Sequence, residues 1–136
     1  LAHLLVGSEG TLAYFKRLKL KLSPLPKYRA LGVVNFPTFY RAMELTQHIV
    51  KLDPSAVELV DRTMIDLARD NPSFQPIIDA ALIGAPEAIL LVEFSGDDEA
   101  AQTSKLDRLD EFALAEHRPV TVPLLRKMLS DSGASA

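Results

Sequence analysis

The stretch "AILLVEF", residues 88–94, leaves this 136-residue chain the least freedom of any segment. It is too short for a typical amphipathic helix, and it is apolar at successive positions instead of every third or fourth. Such a run reads as a strand with two apolar faces, which belongs in the middle of a sheet with cover on both sides. Gly96 ends it. The remaining elements have to supply that sheet and its cover.

Upstream, "ALGVVNF" (30–36) is β-branched and apolar enough for a second interior strand. Pro37-Thr38 then reads as a helix start, with Thr38 at the N-cap and a stripe of Phe39, Ala42, Met43, Thr46, Ile49 and Val50. Asp53-Pro54 stops that helix, and "SAVELV" gives a more polar strand. Asp61 caps a short helix carrying Met64, Ile65, Leu67 and Ala68. A further short helix, roughly Phe74 to Leu82, ends before Gly84, so these two helices form an insertion between strands.

After Gly96, the carboxylates of Asp97, Asp98 and Glu99 open a helix where the macrodipole favours negative charge, and Leu106, Leu109, Phe112 and Ala113 continue its buried stripe. "RPVTVP" reads as an edge strand, because prolines are tolerated there and hardly elsewhere. A last helix over Leu124 to Leu129 and a disordered tail are expected beyond it. The order strand, helix, strand, inserted helices, strand, helix, strand predicts an α+β ferredoxin-like sandwich, an antiparallel sheet with helices on one face. The two apolar strands take the centre, and the polar and proline-flanked ones take the edges.

The front of the chain is different. From Thr11 onward, Leu12, Tyr14, Leu18, Leu20 and Leu22 alternate with Arg17, Lys19, Lys21 and Ser23, a period of two that predicts one long or bent strand. Pro24 and Pro26 close it and mark a boundary, giving an N-terminal unit over 1–26 and the sandwich over 27–136. The chain opens on Leu1 inside an apolar run, and so reads as a piece of a longer protein.

Composition excludes several function classes. A net charge of −3 lacks the broad positive footprint that nucleic acid requires, and the basic stretch Lys16–Lys21 reads as a solvated strand face. There are no cysteines, which removes disulfides and thiolate chemistry, and a reducing cytoplasm is compatible. No apolar run approaches the roughly 20 residues needed to span a bilayer. The histidines His3, His48 and His117 sit in no recognisable motif, so no metal centre and no catalytic residue is assigned. Helix capping accounts for Asp97–Glu99, and an N-cap beside an exposed arginine accounts for Asp61-Arg62.

One turn stands out. In "VGSEGT", Gly7 and Gly10 permit backbone conformations closed to other residues, and the turn could be a plain connection, a cradle for a phosphate or carbonyl oxygen, or the seat of a nucleophilic Ser8. An alternating strand follows it, so it lacks the strand-turn-helix context of a nucleophile elbow.

"VGSEGTLA", "LKLSPLPKYRALGVVNFPTF", "PSAVELVDRTMIDLAR" and "ILLVEFSGDDEA" together resemble the FAD-linked oxidase family, over about Leu4 to Leu109. That family includes glycolate oxidase and D-lactate dehydrogenase and shares the vanillyl-alcohol oxidase type of flavin domain. Within it, the likeness is greatest to large bacterial FAD/FMN-containing dehydrogenases fused to iron–sulfur modules. The resemblance implies that Gly7, Ser8, Glu9, Gly10 and Thr11 line FAD in a parent protein, and that 1–26 is the end of the FAD domain with its last strand. It also implies that 27–136 is part of the cap domain. The family's flavin-pyrophosphate loop, its substrate-gripping arginine and lysine, and its His-x-Gly-Asp-Gly-Asn-x-His segment are not in this sequence. The chain is therefore expected to be an inactive fragment of an oxidoreductase acting on glycolate, D-lactate or D-2-hydroxyglutarate. Its partners would be the rest of the FAD domain and an iron–sulfur module. The alternative is a free-standing ferredoxin-like interaction module that forms homodimers through exposed surfaces.

Overall fold

The computed structural model describes residues 1–116 and 119–121. Its centre is β1 (Tyr28–Phe36) paired antiparallel with β3 (Ala88–Gly96) over nine residues, from Tyr28 opposite Gly96 to Phe36 opposite Ala88. β2 (Ala56–Asp61) pairs with the far side of β3, and the two-residue β4 (Val120–Thr121) pairs with β1, giving the order β2-β3-β1-β4. The apolar strands are interior and the polar and proline-flanked ones lie outside, because an interior strand exposes no edge and buries both faces.

The three longest helices among the described residues each start where a side chain can satisfy the first N–H groups. Thr38 accepts from the Arg41 N–H at the head of α2 (Phe39–Ile49), and Asp61 accepts from Met64 at the head of α3 (Arg62–Arg69). Asp98 accepts from both Ala100 and Ala101 at the head of α5 (Glu99–Ala115). A substituted cap of this kind typically costs about 1 kcal/mol. α2 runs into a 3₁₀ turn over Val50–Leu52, which Asp53 ends in the left-handed region at φ 57°.

The main core lies between the sheet and the pair α2 and α5. Ala30, Val34 and Phe36 from β1 and Leu90, Val92 and Phe94 from β3 meet Ala42, Leu45 and Ile49 of α2 and Leu106, Leu109 and Ala113 of α5. Full burial contributes about 1.5–3 kcal/mol for each large apolar side chain. Phe112 is partly buried against this cluster, its ring 6.3 Å from that of His48 at the α2–α5 seam.

Helices do not keep to one face, which corrects the sequence reading. α3 and α4 (Gln75–Ala81) cover the opposite side, where Ile65 and Leu82 close over Val33 and Ile89 with Val60, Ile78 and Ala81 around them. The cause lies in the strands themselves: the odd-numbered positions of β1 and β3 carry Leu31, Val33, Ile89 and Leu91, so the second face also needs cover. Of the stripe expected on α2, Ala42 and Ile49 are buried but Phe39, Met43 and Val50 are exposed, with Leu45 in the core instead, and of the apolar residues carried by α3, Met64 and Leu67 are exposed.

The N-terminal segment also departs from expectation. A four-residue helix, α1 (Ala2–Leu5), opens the chain, and no strand forms between Thr11 and Lys27. The alternation at Leu12, Tyr14, Leu18, Leu20 and Leu22 is real, yet all five side chains are exposed. Period-two patterning prepares a strand for a sheet but cannot form one without a neighbour to bond. The expected helix over Leu124 to Leu129, the tail and His117 lie outside the described residues. Among the described residues, no helix is long and apolar enough to cross a membrane.

Candidate functional site

Gly7 to Thr11 form one tight turn after α1. Gly7, Glu9 and Gly10 have φ of 77°, 49° and 78°. A Cβ built on either glycine would meet nothing within 4 Å, so the left-handed backbone, and not crowding, requires glycine there. Glu9 pays a small steric penalty for sharing that region. The turn is closed by Thr11, whose N–H and hydroxyl both donate to the Ser8 carbonyl at 2.9 and 2.6 Å, and by the Ser8 N–H donating to Leu5 at 3.2 Å.

This arrangement leaves specific groups unused. The Ser8 Oγ is hidden from solvent and has no hydrogen-bond partner, and the N–H groups of Glu9 and Gly10 meet no acceptor among the described residues. A buried hydroxyl without a partner costs about 1–3 kcal/mol, so it marks a place where a polar partner would be favourable. The Glu9 and Gly10 N–H groups, in a turn with open space beside both glycines, are donors of the kind the acceptor-rich edge of a flavin or its phosphates would satisfy. No base is hydrogen-bonded to the Ser8 hydroxyl among the described residues, so nothing there activates it as a nucleophile.

The other groups singled out in the sequence are structural. Asp97, Asp98, Glu99 and Asp107 line an open groove with Tyr28 and Thr103, but no three side chains able to ligate a metal converge among the described residues. Asp98 is the α5 cap and Asp61 the α3 cap. Arg62 pairs with Asp66 one turn along α3 at 2.9 Å, which holds its guanidinium protonated even more firmly than usual.

Two links across the fold had no signal in the sequence beyond residue type. Lys105 of α5 donates to the Asp53 carbonyl and carboxylate, both at 2.9 Å, holding the Asp53 carboxyl below its ordinary range through the hydrogen bond and the positive charge. Buried Asn35 donates to the carbonyls of Val33 and Pro119 at 3.4 and 3.3 Å and accepts from the Ile83 N–H at 3.2 Å.

Comparison with known proteins places these features in a lineage. Residues 25–121 match the family described as FAD linked oxidases, C-terminal domain. The D-2-hydroxyglutarate dehydrogenase of Escherichia coli (strain K12) is 33% identical over 126 residues, covering 87% of this chain and 12% of that protein. The D-lactate dehydrogenase of Archaeoglobus fulgidus is 30% identical over 107 residues, covering 78% of this chain and 23% of its own length. The mitochondrial D-lactate dehydrogenase [cytochrome] of Arabidopsis thaliana is 34% identical over 67 residues, 48% of this chain and 12% of that protein. The chain thus spans between about a tenth and a quarter of the length of these relatives. With its matched region running from the linker before β1 through β4, the chain belongs to the FAD-linked oxidase C-terminal domain family.

Proposed function

We propose that this chain is one section of an FAD-dependent dehydrogenase of D-2-hydroxyacids, contributing the first part of a ferredoxin-like cap and one wall of the flavin site. The observation that carries the reading is that the relatives matched over most of this chain are, by name, dehydrogenases of D-2-hydroxyglutarate and D-lactate. The strand order β2-β3-β1-β4 with α2 and α5 packed on one face supports the ferredoxin-like description.

In that role Gly7 and Gly10 hold the turn open beside the cofactor, Glu9 and Gly10 offer N–H donors, and Ser8 supplies a hydroxyl with no internal partner. Thr11 fixes the turn by its two bonds to the Ser8 carbonyl. FAD, when bound, supplies the capacity to accept a hydride from the substrate's α-carbon. This chain's residues position and cover; the base and the carboxylate grip for substrate come from elsewhere in the longer protein.

The 136-residue chain alone is then expected to lack both stable flavin binding and oxidase activity. The test is titration of the purified chain with FAD, followed by addition of D-lactate or D-2-hydroxyglutarate. No saturable binding and no bleaching near about 450 nm are expected, since that band belongs to the cofactor. Stoichiometric flavin uptake with substrate-dependent bleaching would show a complete catalytic unit instead.

A further inference from the structure

We draw no further inference here: the strongest candidate, the open acidic groove at the head of α5 lined by Asp97, Asp98, Glu99 and Asp107 beside Tyr28, carries nothing, because the buried Gln102 amide packs against Gly96 at the end of β3 and does not line the groove, leaving only an acidic cluster at a helix N-terminus with no second feature among the described residues that points to a ligand.

Discussion

The side chain of Asn35, at the inner end of β1, accepts a hydrogen bond from the backbone N–H of Ile83, 48 residues further along, at 3.2 Å. The same amide donates to the carbonyl of Pro119 just ahead of β4. One buried asparagine thus fastens the loop before β3 to the central strand and reinforces the bond that its own backbone N–H makes to the same Pro119 carbonyl at the approach to the edge strand. Replacing Asn35 with alanine would strand the Ile83 N–H. A destabilisation of about 1–3 kcal/mol is expected, the usual cost of an orphaned buried group, read as a lowered urea midpoint with an unchanged slope.

Truncation in the core and truncation at the front should differ sharply. Phe94 is fully buried between the sheet and its helices, so Phe94→Ala is expected to cost about 3–5 kcal/mol. Tyr14, 94% exposed, touches too little for Tyr14→Ala to move stability by more than about 0.5 kcal/mol. Denaturant melts of both variants check the contrast, and comparable losses would mean the N-terminal segment is packed.

Acid sensitivity should involve the bond between Lys105 and Asp53. The folded state holds the Asp53 carboxyl below its ordinary value of 3.8, so the pair's contribution is fully present above that value and is lost as pH falls through the lower native pKa. Lys105→Met keeps the aliphatic stem over Phe94 but removes the ammonium, which stands 6.0 Å from that ring. The stability difference between wild type and this variant should therefore be constant near neutrality and shrink below about pH 4, as followed by urea midpoints. A difference that grows on acidification would contradict the assignment.

Asp98 accepts from two N–H groups at the head of the longest helix, and Asp98→Ala is expected to cost about 1 kcal/mol, recovered in large part by Asp98→Ser. Thermal melts of the pair separate capping from the general loss of a negative charge.

These cases also show which parts of the molecule can be read from residue order. Thr38, Asp61 and Asp98 announced their helices because capping needs only a short polar side chain one residue ahead of an apolar stripe. "AILLVEF" announced the centre of the sheet, and the prolines around Val120 announced an edge. Leu12 to Leu22 misled because alternation records which faces a segment offers, not whether a neighbouring strand is present. α3 and α4 were assigned no separate face because choosing one depends on Val33 and Ile89 across the sheet. Within the turn, the glycines signalled left-handed backbone, but the same conformation at Glu9 and the seclusion of the Ser8 hydroxyl depend on coordinates. The ties from Asn35 to Ile83 and from Lys105 to Asp53 join residues 48 and 52 apart, beyond the reach of any local pattern.

The central claim is that the Gly7–Thr11 turn meets the flavin in the longer protein to which this section is proposed to belong. It is tested most directly by the visible absorbance of that protein purified with Gly10 intact and with Gly10→Val. Gly10 sits at φ 78° with open space beside it, so valine strains the turn and fills the side proposed to face the cofactor. The account predicts a marked loss of bound flavin, with β1–β3 amide protection unchanged. Full flavin content in the variant would contradict it.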